Sequence, residues 1–545
     1  MKNPYRAGQA FYERVKSAWA LFPALREYFR EPITLQHAED QVKKNLATRE
    51  ERFLALVRSQ VYERPGSPYL KLFKIAGCEF SDLQADVRRH GLEPTLARLA
   101  GEGVYLSSDE FKGKKEVARG GKSFRVSPED FDRPDAPAGY IGQSSGTSNR
   151  PVSSTMSLDW FATKICARSL FFRAHNLLAS PHAVYDSILP GMAAVNTLLI
   201  NAKIGMAGDR WFARKIPSKS RLSTLHHAWI TYEIVLAGKF FGPGFPMPEF
   251  IEGAEIRRIV DWIVEQRRRH KTCFITTLPN HAVRICRAAV EMGASLEGAK
   301  LYVGGEPFTD AKEEAIKKVG AGFTSRYSFG GAMTVGYGCP NPLERDEVHI
   351  TQDIFALISH PEPIAHEAQL IHPLLLTTLH PTAPRLLLNV ANGDYAVMSE
   401  RKCGCVMGEA GFSLHLHRIR SYEKFTSEGM NYFYGDLFEL MEKTFPREFG
   451  GAIGDYQLVE EEDGNGQTRL TLRVDPGVPN LNEERLLRRL EEELSKGRWG
   501  NQFQTLIWRD AGTLRIKREA PHASLRGKIL PLHIDRSLSS GGFSR

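Results

Sequence analysis

Nowhere in the chain do eighteen apolar residues run together, and the opening MKNPYRAGQAFYERVKSAWALF interrupts its apolar positions with Arg, Glu and Lys. Neither a membrane-spanning helix nor an uninterrupted signal-peptide core is therefore expected, and the protein is read as cytoplasmic with no membrane partner. Seven cysteines among 545 residues are too few for a disulfide scaffold, and an odd number leaves at least one unpaired, so reduced thiols are the expectation. Internal repeats and low-complexity tracts are also missing. The basic clusters at Lys112 to Lys115 and Arg267 to Arg269 are short and lack interleaved aromatics, which argues against a nucleic-acid partner.

What is present describes an ordinary folded protein: 42% apolar residues, 25% charged residues and 30 phenylalanines supply a sizeable core. A chain of 545 residues exceeds what one core organises, so two or three domains are expected. The net charge of +8 favours anionic small molecules such as nucleotides.

Helical periodicity from Ala10 to Phe29, with more helix to about Tyr62, predicts an N-terminal helical extension over 1–64. The extension caps the large domain or forms a homodimer contact, and both readings stay open. From 65 to about 420, helical segments alternate with short apolar strands, as an α/β sheet requires. Beyond Tyr422, DYQLVEEEDGNGQTRLTLRV reads as a hairpin and NEERLLRRLEEELSKG as an amphipathic helix. These define a small α+β domain over 421–535, followed by a frayed Gly/Ser-rich tail at 536–545.

The loop QSSGTSNRPV, Gln143 to Val152, gathers small residues and hydroxyls whose N–H and O–H groups can converge on phosphate oxygens. It resembles the phosphate loop of the adenylate-forming superfamily of acyl-CoA ligases and adenylation domains, with Asn149 in place of a glycine and Arg150 in place of a lysine. Four further segments follow in that superfamily's order: GGEPF at Gly304 to Phe308, FGGAM at Phe329 to Met333, NGD at Asn392 to Asp394, and Gly527 with Lys528. HITQD (His349 to Asp353), LLLTTLHPTAPRLLLNVANGDYAV (Leu374 to Val397), RKCGCVMG (Arg401 to Gly408) and EGMNYF (Glu428 to Phe433) place the resemblance nearest the phenylacetate-CoA ligase branch, over roughly residues 65 to 533.

The resemblance implies an α/β fold with a large N-terminal domain of packed sheets and a small mobile C-terminal domain. It implies that Ser144, Ser145, Gly146, Thr147, Ser148 and Arg150 hold the β- and γ-phosphates of ATP, and that Gly304, Gly305 and Glu306 line the adenine pocket beside Gly330. Phe329 would stack on the base, although burial in the core is the better reading of that phenylalanine taken alone. Asp394 would accept hydrogen bonds from the ribose. Arg420 lies near the domain junction, with Tyr422 or Glu423 as the hinge. Lys528 would reach the α-phosphate and carboxylate during adenylation, where its charge stabilises the transition state.

One departure concerns Mg²⁺. The superfamily's motif supplies a Thr and a Glu where this chain has Ala332 and Met333, neither of which binds a hard cation. Either water and phosphate hold the metal, or Thr334 or Asp353 substitutes, or adenylation is impaired. Cys339, His349, Cys403 and Cys405 make the three thiolates and one imidazole of a closed structural Zn²⁺ site, which the phenylacetate-ligase branch matches. The expected function is ATP-dependent activation of a small aromatic or short acyl carboxylic acid as acyl-AMP, then transfer to coenzyme A. Transfer to an amine, a protein thiol or another nucleophile is the alternative acceptor reading, and a catalytically impaired nucleotide- or acyl-binding relative is the third.

Overall fold

The computed structural model describes residues 21–134, 139–143, 153–189, 191–213, 221–251, 253–305, 308, 310–329, 333–366, 369–421, 439–462, 468–495, 514–523, 529 and 531–535. Helix α1 covers residues 21–30, α2 Leu35–Ala47 and α3 Arg49–Val57. The Thr34 hydroxyl caps α2 by accepting from the His37 N–H at 3.1 Å. Leu21 and Leu25 of α1 and Ala38 and Val42 of α2 share one core with helix α4, Leu158–Ala174. These N-terminal helices are thus built into the large unit. Arg52 of α3 reinforces that attachment by donating to the carbonyls of Leu379 and Asp353 at 2.7 and 2.5 Å.

Strands β1 (Gly139–Gln143) and β2 (Ser153–Ser157) pair antiparallel, with Gln143 opposite Ser153. Further strands are β3 (His182–Tyr185), β4 (Arg210–Ala213), β5 (Pro248–Phe250), β6 (Cys273–Thr277), β7 (Ala299–Gly304), β8 (Gly322–Phe329), β9 (Met333–Gly338) and β10 (Val348–Ile350). Then follow β11 (Phe355–Ser359), β12 (Leu374–Thr378), β13 (Val390–Ala391), β14 (Asp394–Glu400) and β15 (Leu414–Ser421). A ten-stranded sheet runs β14-β15-β10-β9-β8-β7-β6-β3-β4-β5. From β8 to β5 its neighbours are parallel, and from β8 to β14 they are antiparallel. Every residue of β6 is buried, as a strand covered on both faces should be. Helices α5 (Arg257–His270), α6 (Pro279–Glu291) and α7 (Asp310–Lys318) connect the parallel strands, and α4 covers one face.

The chain runs outward from β3 to β5, then returns to place β6 on the other side of β3. Their carboxyl ends form a topological switch point, where open α/β sheets take ligands. Strand β3 ends at Tyr185, and just beyond it the Ser187 N–H donates to Asp186 Oδ1 at 2.7 Å. Strands β11, β12 and β13 form a separate antiparallel sheet.

The C-terminal unit has its own sheet, ordered β18-β17-β16-β19, from β16 (Tyr456–Glu462), β17 (Thr468–Val474), β18 (Leu514–Lys517) and β19 (Leu532–Asp535). Helix α8, Glu483–Ser495, buries Leu486 and Leu490 against Leu458, Leu470 and Leu472 of that sheet. The hairpin and amphipathic helix are the elements their periodicity predicted. An ion pair joins this unit to the large one: Lys312 of α7 meets Glu442 at 2.9 Å, with side chains 1% and 6% exposed.

Candidate active site

β7 ends at Gly304, and the neighbouring strand explains why a glycine stands there. A Cβ on Gly304 would lie 2.2 Å from Arg326 Cγ and 2.6 Å from the Arg326 carbonyl oxygen. Gly305 follows with φ +87°, a left-handed conformation that disfavours any side chain. The glycine pair therefore serves the close approach of β7 to β8 as well as the open edge beyond it.

Phe329 is 1% exposed and packs in the large core with Val335, Val348 and Ile350. Its burial matches the core reading of that phenylalanine taken alone. Tyr327, two residues earlier on β8, is the residue that reaches Asp394. Its hydroxyl donates to Asp394 Oδ2 at 2.9 Å, and Asn392 Nδ2 donates to the same oxygen at 3.1 Å. Asp394 opens β14 and pairs with Ser421, while Tyr395 pairs with Arg420. The aspartate and arginine thus lie one register step apart on adjoining strands. Arg420 is an ion-pair partner of Asp346 at 3.4 Å. Asp346 also accepts the N–H groups of Arg418 and Ile419, both at 2.9 Å, where Arg418 has φ +53° and the β14/β15 register shifts. The bulge thereby aims Arg420, and Asp346 fixes the bulge.

Ser144, Ser145, Gly146, Thr147, Ser148, Arg150, Glu306, Gly330, Ala332, Tyr422, Glu423 and Lys528 lie outside the described residues. The strands on either side of 144–152 are described, and they pair with Gln143 opposite Ser153.

Of the two proposed stand-ins for the missing magnesium ligands, Asp353 is excluded by its surroundings. It is fully buried, with Lys164 and Arg52 the cations beside it and both carboxylate oxygens enclosed in protein. Burial pushes its carboxyl up to about 6 despite those cations. The Lys164 ammonium, also buried, is pushed down to about 7 and donates to the Thr334 carbonyl. Thr334 is half-buried with its hydroxyl 3.4 Å from Ser328 Oγ, which leaves it the better placed of the two.

The four sequence-selected sulfur and nitrogen donors converge. One ligand atom each from Cys339, His349, Cys403 and Cys405 lies within 4.8 Å of the others. His349 Nε2 stands 3.2 Å from Cys405 Sγ and 3.5 Å from Cys403 Sγ, and the two sulfurs are 3.2 Å apart. A tetrahedral zinc–thiolate site has ligand edges of about 3.8 Å, so small adjustments suit this set to the ion. His349 Nδ1 is 2.8 Å from the Phe412 carbonyl oxygen, and an Nδ1–H donating there leaves the Nε2 lone pair facing the thiols. Arg401 lies 3.7 Å from Cys339 Sγ and also pairs with buried Glu347. The His415 ring, 4.1 Å from that of His349, was not anticipated, and nothing in its spacing from the cysteines distinguishes it.

No protein-family model matches the chain, and no curated protein matches it either. Among solved structures, it is similar to a 2-hydroxyisobutyryl-CoA ligase in complex with 2-HIB-AMP and CoA, at 14% identity over 93% of this chain and 92% of that one, with a TM-score of 0.44. It is also similar to an amide bond synthetase from Marinactinospora thermotolerans, at 10% identity over 92% of this chain and 98% of that one, with a TM-score of 0.37. The McyG A-PCP complexed with phenylalanyl-adenylate matches at 12% identity over 71% of this chain and 56% of that one, with a TM-score of 0.39. At these identities and scores, the description of the fold rests on the chain's own strand order and register.

Proposed function

We propose that the protein activates a small carboxylic acid with ATP and passes the acyl group to coenzyme A. The observation that carries the reading is the convergence of separate motifs on one sheet: Gly304 pairs with Arg326, the next residue Tyr327 bonds Asp394, and Asp394 adjoins the strand pair of Arg420. Residues spread over more than a hundred positions meet where the sequence resemblance assigns a nucleotide.

In the proposed first half-reaction, a carboxylate oxygen attacks the α-phosphorus and pyrophosphate leaves. In the second, the CoA sulfur attacks the acyl carbon and AMP leaves. Asp394, oriented by Tyr327 and Asn392, is suited to accept both ribose hydroxyls. The 144–150 loop is assigned to the terminal phosphates, and Lys528 to the charge that grows at the α-phosphate. Mg²⁺ would neutralise the phosphates, with Thr334 supplying a hydroxyl where Ala332 and Met333 offer no ligand. Zn²⁺ would be held by Cys339, His349, Cys403 and Cys405 in a structural role, since four protein ligands leave no position for substrate.

The test is pyrophosphate release from ATP with a panel of aromatic, short-chain and fatty acids, with and without CoA. Release with one acid class, and a thioester only when CoA is added, supports the reading. Pyrophosphate release with acyl transfer only to an amine or protein thiol rejects the CoA assignment, and no release with any acid rejects adenylation.

A further inference from the structure

The connection between β14 and β15 carries Cys403 and Cys405 with one glycine between them. Gly404 takes a left-handed φ of +68°, and the sulfurs on either side of it come to 3.2 Å. Of the four donors in the cluster, Cys339, His349 and Cys405 are buried, whereas Cys403 is part-exposed. Gly408 leaves the room that Cys403 occupies, because a Cβ there would lie 3.1 Å from its sulfur.

The thiols outside the cluster have a different setting. Cys78, Cys166, Cys273 and Cys286 are all buried, and burial pushes the last three up to about 12. A thiol held protonated and away from solvent is a poor nucleophile. Cys403 instead combines access from solvent with a second sulfur beside it, which is what a reversibly oxidised cysteine needs. Closing from 3.2 Å to an S–S bond of about 2.05 Å takes about 1 Å of sulfur travel.

The position of the cluster gives such a closure a consequence. Cys339 follows the end of β9, and His349 lies in β10 opposite Tyr337 of β9 and His415 of β15. Together with Cys403 and Cys405 they fasten the connected end of the β14/β15 hairpin, whose other end carries Asp394 and Arg420.

We propose that Cys403 and Cys405 are a peroxide-responsive dithiol whose closure to a disulfide opens the four-donor cluster. The Cys403 thiolate attacks one oxygen of hydrogen peroxide, the O–O bond breaks, and hydroxide leaves a sulfenic acid on the sulfur. The Cys405 thiolate attacks that sulfur, the S–S bond forms and a second hydroxide leaves. Each hydroxide takes up a proton to become water, and two electrons have passed from the sulfurs to the peroxide oxygens. With two of its four donors tied up, the cluster is no longer a closed zinc site, and bound metal is released. A ring closed across one intervening residue restrains little of the unfolded chain, so the disulfide does not replace what the metal contributes to stability. Metal release rests on the zinc reading, and the disulfide does not.

The test starts from the full chain with its zinc content measured. Hydrogen peroxide is added, free thiols are trapped with an alkylating agent, and the peptides are mapped by mass spectrometry. A linkage between Cys403 and Cys405 is expected to form roughly tenfold faster than any change at Cys166, Cys273 or Cys286, and to be reversed by dithiothreitol. One zinc per linkage is expected to reach a chromogenic chelator, and the oxidised protein is expected to melt several degrees below the reduced one. These readouts use the unaltered sequence, so no variant has to fold. Both thiols intact under peroxide that oxidises free cysteine, sulfonic acid on Cys403 without a linkage, or a linkage through Cys339 would each overturn the proposal. A linkage in protein that carries no zinc supports the dithiol and rejects the zinc reading. Zinc that stays bound with both thiols intact does the reverse.

Discussion

Tyr327 and Asp394, 67 positions apart, are joined by a 2.9 Å hydrogen bond from the tyrosine hydroxyl to a carboxylate oxygen. The bond fixes the orientation of the carboxylate that the proposed mechanism assigns to the ribose.

Tyr327→Phe should therefore act on the nucleotide rather than on the fold. Losing one hydrogen bond to a charged acceptor is worth about 1.5 kcal/mol, so KM for ATP should rise about tenfold with a smaller change in kcat. Steady-state kinetics alongside a melting curve separates this from a stability defect. A variant with unchanged KM for ATP contradicts the role of Tyr327.

The cysteine and histidine cluster should hold one zinc per chain, measurable by elemental analysis of the purified protein. Cys403→Ser should lose the metal and melt several degrees lower, as expected when a metal is part of the folded state. Protein without zinc, or a Cys403→Ser variant with an unchanged melting temperature, contradicts the assignment.

How much of this was legible beforehand follows from the physics of each element. The hairpin at 456–474 and helix α8 were readable because their patterns are local and each buries one face. The set Cys339, His349, Cys403 and Cys405 came from matching places in the resemblance, and the fold brings those four side chains together. The setting of Asp353 was not readable, since it depends on Lys164 and Arg52, which lie 189 and 301 positions away from it. The burial of Phe329 was readable from the residue type taken alone, and the resemblance pointed away from it.

Lys312 and Glu442 form a buried pair between the large and C-terminal units. Lys312→Met alone leaves a buried carboxylate without this cation and should cost about 3 kcal/mol, measured by urea unfolding. Adding Glu442→Leu should recover most of the loss, because an apolar pair can replace a buried ion pair. If the double variant is as unstable as the single one, the pair is not what couples the units.

The buried ammonium of Lys164 predicts a pH dependence. In the folded protein its proton leaves near pH 7, whereas an unfolded lysine holds it to about 10. Between those values the unfolded chain binds more protons, so this group's contribution makes stability rise with pH, and below pH 7 the full burial cost is present. Urea midpoints from pH 7 to 9.5 should climb more steeply for wild type than for Lys164→Met. Parallel curves contradict the assignment.

The central claim is most directly tested by carboxylate-dependent exchange of labelled pyrophosphate into ATP, which reports acyl-adenylate formation without any acceptor. Wild type is predicted to exchange with at least one carboxylic acid. Asp394→Ala should exchange poorly through weakened ATP binding, and Lys528→Ala should lose exchange by at least a hundredfold while still binding ATP. Absence of exchange by wild type with every acid, although ATP binds, or full exchange by Lys528→Ala, would contradict the account.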